Sequence, residues 1–492
     1  MENSIYKLAF KQVIIFCLWV ALARISRGFI LPVMTLLGMV WAVRRESGKA
    51  LSMYAMLLMM TAINPNILPN VGMMYSLGLR FGPLMIGLTL AAIEGLGNKK
   101  QSLPLGMMLL YLVVAAFSSA GGWCPEVSYL KLINFLVFLL GIWMGTKGLQ
   151  NRTQDVFILR GTLLALCAFL IVGSAVLWPF PGISTLNALA HLRDVDDVVM
   201  KNKIIQEMID SGGMTMFCGV MNQSQALSPV LSCAFAWTMC DLLFVEGRSR
   251  GPHIMLLILA LPLLYLTRSR VALVGVLVAL TMVYFYLPGR LAVNGKMKSW
   301  LGHILLLGGV ALIAAAGIAE ARSNAITRWL RKTEDVKTDQ RTLSEAFTGS
   351  RQGLIEMCMD DFHKRPVLGM GFQVAEYTRE YATRGKGLIL SSPIEKGVIP
   401  IMILGETGVI GMTVFILFLI SFYFGCANKR LFICITMMAL LLSLNMGEAT
   451  FFSPGGIGGP QWMFCLVGGY ALDLAAGSKW NRRDGYWGMA VR

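Results

Sequence analysis

The sequence predicts an all-α, polytopic transmembrane helical bundle, and three observations carry that prediction. Of 492 residues, 56% are hydrophobic and only 14% charged, with a mean hydropathy of +0.65, whereas soluble domains carry about 25% charged residues. The apolar runs are about 16–22 residues long, which suits helices crossing about 30 Å of hydrocarbon. No alternating ten-residue barrel pattern occurs, so helices have to satisfy the backbone.

In chain order, the expected spans are 8–23, 27–43, 50–63, 75–93, 103–120, 128–146, 158–179, 225–245, 253–267, 269–287, 301–319, 398–424, 431–446 and 460–477. Arg24 and Arg27 separate the first two, which either cross or form a hairpin that never does, so the count is about 12–14. The chain divides into N-terminal helices (1–178), a first outer loop (179–224), central helices (225–319), a large loop (320–397) and C-terminal helices with a tail (398–492). Residues 1–30 lack a small-residue cleavage site before a polar region, so no removable signal peptide is expected.

The net charge of +16 does not imply nucleic acid, because its placement follows the membrane. Arg44, Arg45 and Lys49, Lys99 and Lys100, Lys147 and Arg152 with Arg160, Arg248 and Arg250, and Lys429 and Arg430 fall in alternate polar breaks. The intervening breaks 64–74, 121–127 and 447–459 contain no Lys or Arg. By the positive-inside rule, both termini are expected in the cytoplasm, with 179–224 and 320–397 on the outer face. Ten Cys are scattered singly, and His191, His253, His303 and His363 are far apart. Neither a disulfide framework nor a zinc site is expected; a carboxylate metal site stays open.

The outer loops carry the polar chemistry. Residues 184–213 read as an amphipathic helix lying on the rim, with Ser184 as cap, Gly212-Gly213 as stop and Asp194, Asp196 and Asp197 on the wet face. In the larger loop, 322–332 is basic with Trp329, 338–348 is a polar connector, and 350–364 is an amphipathic helix. Its stripe is Leu354, Ile355, Cys358 and Phe362, its expected N-cap is Ser350, and Pro366 stops it. Gly369-Met370-Gly371-Phe372 follows as a tight turn. Loops this long are uncommon without a role.

Charges at membrane depth are costly and face partners or wet cavities. Arg80 follows the outer start of the fourth span, and Arg268 and Arg270 sit in a polar break on the expected outer face, against the positive-inside bias. They are either snorkelling to headgroups or forming an anion site, since guanidinium pairs bidentately with phosphate. Glu406 lies a few residues into the span after the large loop, as an ion-pair partner or a packing residue near small glycines.

Four segments, taken in order, resemble the bacterial O-antigen ligase and O-antigen polymerase superfamily. Thr267–Arg270 is similar to its S-R element. Arg351-Gln352-Gly353, leading to His363–Phe372, is similar to its "R … h-P-l-x-G-x-G" run. Ile403–Gly411 is similar to its "l-x-E-x-G-l-x-G" run, and Gly219–Leu227 more weakly to a Gly and Asn-rich entry to a span. The likeness covers about 215–425, and no single motif is specific.

The resemblance implies glycan transfer on the outer face of the bacterial inner membrane, from an undecaprenyl-pyrophosphate-linked glycan donor to a glycan or lipid acceptor. Membrane lipids, a flippase and a chain-length regulator are the implied partners, with no cofactor. Arg268, Arg270 and Arg351, with Arg80 and Lys396, would bind the pyrophosphate. Ligase members carry a His-Asn pair shortly before the E-x-G-l-x-G run; here Ser391–Gly397 has no histidine. That points to polymerase over ligase and leaves Glu395 as base, with Asp360, Asp361 or His363 as substitutes. A transporter or flippase of lipid-linked glycans, and a non-catalytic assembly scaffold, are the competing readings.

Overall fold

Prolines in the first turn, where a missing N–H costs nothing, open several of the helices, among them α5 (Leu103–Ala120), α6 (Pro125–Gly148), α9 (Gly251–Leu266) and α12 (Ile399–Asn428). The computed structural model describes residues 2–68, 73–96, 102–150, 152–180, 217–245, 250–267, 269–286, 343–376, 378 and 397–483. The remaining helices are α1 (Glu2–Ile25), α2 (Ile30–Val43), α3 (Ser47–Thr61), α4 (Met73–Leu96), α7 (Thr153–Leu177), α8 (Ser224–Cys240), α10 (Arg270–Tyr286), α11 (Leu343–Lys364), α13 (Phe432–Leu444), α14 (Gly458–Trp462) and α15 (Gly469–Arg483). π-helical turns extend α8 (Asp241–Val245) and join α14 to α15 (Met463–Gly468). Among the described residues there is no strand, only an isolated bridge between Ile63 and Met221. The protein is an all-α bundle.

Six of these helices are long and apolar enough to cross a membrane: α1, α5, α6, α7, α8 with its π-turn, and α12. The apolar helices α2, α9, α10 and α13 are shorter. α3 is buried around its whole circumference from Ser47 to Met60 apart from Lys49, so protein rather than lipid solvates it. α1, α2, α5, α9 and α12 instead expose large apolar side chains, such as Phe10, Leu36, Phe117, Ile258 and Leu417. An apolar belt outside a sealed apolar centre is the arrangement a bilayer demands. This is a membrane protein. α4 and α6 meet closely where Gly141 rests on the backbone of Gly87, the small-residue contact that lets membrane helices approach.

Among the described residues, loop contacts fall into two sets that do not mix. On the N-terminal face, Ser47 donates to Glu94 at 2.7 Å, Gln150 donates to Tyr470 at 2.6 Å, and Asp473 accepts from the backbone N–H groups of Ile433 and Cys434. On the opposite face, Arg24 donates to the Ile67 carbonyl at 3.0 Å, Asn64 N–H to Val220, Trp123 N–H to Met370 and Ile399 N–H to Asn445. The α1–α2 turn therefore shares a face with the α3–α4 loop, and the α2–α3 turn lies opposite. α1 packs on α7 and α2 on α4, so the first two apolar segments run through the bundle and are not a hairpin held at one face.

Two expectations need correction. The helix after the large loop's polar connector begins at Leu343, not Ser350. Gly349 costs about 1 kcal/mol inside a helix, which does not stop a 22-residue helix that packs on α12 further along, at Cys358; the end before Pro366 is as expected. Arg160 does not lie in a polar break. It lies buried in α7, held by Asp241. The segments 184–213, 301–319 and 322–332 lie outside the described residues.

Candidate functional site

The two glycine motifs of the sequence interlock at the face opposite the N-terminus. Gly408 adopts φ +63 and ψ −165 inside α12 and breaks its helical ladder. The carbonyls and N–H groups freed there are taken up by the segment after α11. Met370 N–H donates to Gly405 at 2.9 Å, Gly371 N–H to Glu406 at 3.0 Å, and Val409 N–H to Pro366 at 2.9 Å. Gly369 (φ +70) lies against the Glu406 backbone so closely that a Cβ has no room.

The α5–α6 turn completes the junction. Ser118 donates to the Glu406 carbonyl and accepts from Gly371 N–H at 3.1 Å, while Ser128 and Lys131 donate to the carbonyls of Phe372 and Gln373. Above it, Trp123 Nε1 donates to Asp361 Oδ1 at 2.9 Å, and Lys364 Nζ lies 4.7 Å from the Trp123 ring centroid. Arg365 Nη1 donates to the Ser118 carbonyl at 3.2 Å.

Of the candidates drawn from the sequence, Glu395, Lys396 and Arg268 lie outside the described residues. Arg351 lies within α11. Arg270 is the first residue of α10, whose turn is capped by Ser269 Oγ accepting from Ala272 N–H at 3.4 Å. Arg80 is half-buried on α4. α4 packs mainly on α2, α3 and α6, and α10 on α8 and α13, so these two arginines share no principal neighbour. Asp360 and His363 are exposed, whereas Asp361 is only 3% exposed. Glu406 is wholly buried, with its backbone carbonyl in the junction. Among the described residues no three His, Cys, Asp or Glu side chains gather as a metal site.

A second polar cluster escaped the sequence reading. Near the N-terminal face, Arg160 Nε donates to Asp241 Oδ1 at 2.6 Å, His253 Nε2 meets Asp241 Oδ2 at 2.9 Å, and Tyr6 Oη meets His253 Nδ1 at 2.9 Å. Four helices contribute one residue each to this chain, which is buried except at the half-buried Tyr6. The π-turn of α8 begins at Asp241; such turns recur at functional sites. The available signal was Asp241, the one acidic residue in the 225–245 run.

Fold and junction together define a polytopic α-helical membrane protein with an ordered polar cap over a broken helix. No family model matches the chain, and no curated protein matches it.

Proposed function

We propose that this chain is a metal-independent glycosyltransferase of the O-antigen ligase and polymerase kind, acting as a polymerase rather than a ligase. It would work in the bacterial inner membrane with both termini cytoplasmic and the glycine-motif face periplasmic. The donor would be a glycan on undecaprenyl pyrophosphate and the acceptor the hydroxyl of another glycan or lipid. The observation that supports this reading most is the interlock of His363–Phe372 with Ile403–Gly411. Two of the four segments that carry the resemblance begin 40 residues apart in numbering but share backbone hydrogen bonds, as parts of one site should.

In this reading Arg268, Arg270 and Arg351, with Arg80 and Lys396, hold the pyrophosphate as charge builds on its leaving oxygen. Glu395 takes the acceptor proton. The donor is already activated by its lipid, so no cofactor is required.

The test is reconstitution of the full chain in proteoliposomes with an undecaprenyl-pyrophosphate oligosaccharide. New glycosidic bonds and released undecaprenyl pyrophosphate are expected. Lipid-linked donor moved across the bilayer without a new bond would reject transfer in favour of a transporter. The buried Tyr6–His253–Asp241–Arg160 chain favours that second reading, since ionisable chains inside membranes serve proton relays. Neither bond formation nor translocation would leave the assembly scaffold.

A further inference from the structure

We infer that Asp361 and Trp123 form a binding subsite for a sugar, the acceptor glycan of the reaction proposed above, on which this assignment rests. Asp361 is 3% exposed and its two oxygens are in different situations. Oδ1 accepts from Trp123 Nε1 at 2.9 Å, whereas Oδ2 is enclosed and, among the described residues, accepts no hydrogen bond. A carboxylate oxygen shut away from water without a donor is costly, and such a group in a native fold calls for a ligand.

Each neighbouring donor has a partner other than Oδ2. The Trp123 indole N–H serves Oδ1, Arg365 Nη1 donates to the Ser118 carbonyl at 3.2 Å, and Lys364 Nζ pairs with Glu376 at 3.7 Å. With no donor to Oδ2 among the described residues, an O–H or N–H from a ligand would complete it. An anionic ligand is disfavoured because it would meet a carboxylate. A neutral polyol meets an acceptor oxygen beside an aromatic face, the two features that match a sugar's hydroxyls and its apolar C–H face.

Trp123 is firmly placed for this. Its backbone N–H donates to the Met370 carbonyl at 3.0 Å, which ties it to the glycine junction and so to Glu406. The Lys364 ammonium covers the indole, 4.7 Å from its centroid. Lys364 is exposed, and so is Glu376, the residue it pairs with, so the lysine arm swings away at little cost and a sugar ring takes its place.

The experiment uses the full chain purified in nanodiscs, with the repeat-unit oligosaccharide released from the surface polysaccharide of its host cells as probe. Calorimetric titration of that oligosaccharide should give binding to the wild type that weakens at least tenfold in Asp361→Asn and in Trp123→Phe. In the transfer assay, both substitutions should raise the acceptor KM by a similar factor, with kcat and the donor KM little changed. Equal oligosaccharide affinity in wild type and both variants overturns the subsite, as does a donor KM that rises with the acceptor KM. Oligosaccharide binding that is lost in the variants, in a protein that transfers nothing, upholds the subsite and rejects the enzyme. No binding by the wild type overturns the subsite, whatever the transfer assay gives.

Discussion

Gly371 donates its backbone N–H to the carbonyl of Glu406 at 3.0 Å, so the glycine turn after α11 replaces part of the ladder that α12 loses at its break. Two residues earlier, Gly369 holds φ +70 against the same backbone. Gly369→Ala should cost about 1–2 kcal/mol from the left-handed conformation alone, and more from overlap with Glu406. At Gly353, on the exposed side of α11, an added methyl group would meet no atom within 4 Å, and Gly353→Ala should stabilise by about 0.5–1 kcal/mol. Thermal unfolding in detergent is expected to shift the two melting temperatures in opposite directions.

The Arg160–Asp241 pair is buried on both sides. Removing one partner leaves the other charge buried with weaker compensation, Asp241 with His253 alone, and breaking such a pair costs about 3–5 kcal/mol, whereas replacing both with apolar residues is often near neutral. Arg160→Met and Asp241→Leu should each reduce the folded yield sharply, and the double variant should recover part of it, since His253 still loses its Asp241 partner. Size-exclusion recovery of monodisperse protein reads this out.

Asn445 Oδ1 accepts from the N–H groups of Thr450 at 2.7 Å and Phe451 at 2.6 Å, and holds the loop between α13 and α14. Asn445→Ala orphans both donors, each worth about 1–3 kcal/mol when buried. Proteolysis of the 447–459 loop should accelerate in the variant while α1–α7 stay resistant.

Sidedness is open to chemical labelling. In a Cys-free background, a cysteine at Thr338 should react with an impermeant thiol reagent in spheroplasts, and one at Ser249 only after lysis. The reverse pattern would invert the orientation proposed above.

Charge-neutral Glu395→Gln should lower transfer by about the 10²–10⁴-fold general-base contribution with membrane insertion intact. Arg→Lys at 268, 270 and 351 should also impair transfer, because lysine lacks the bidentate fork. Glycan length at matched protein level decides both. Normal glycan from all three lysine variants would remove the anion site.

The helices themselves were written in local sequence. Span 103–120 matches α5 residue for residue, and the other described spans match within six residues at each end, because apolar length and first-turn prolines are properties of contiguous chain. Basic-residue placement likewise anticipated which loops share a face. The helix starts at Leu343 rather than Ser350, because one glycine's cost of about 1 kcal/mol does not break a helix of this length. Which residues meet across the bundle was a matter for tertiary structure alone. His253 and Tyr6 are separated by 247 positions, and Trp123 and Asp361 by 238. The bilayer gives every helix the same solvent, so hydropathy identifies spans without ranking their neighbours. Side-chain volume, glycine contacts and the need to satisfy buried polar atoms decided that.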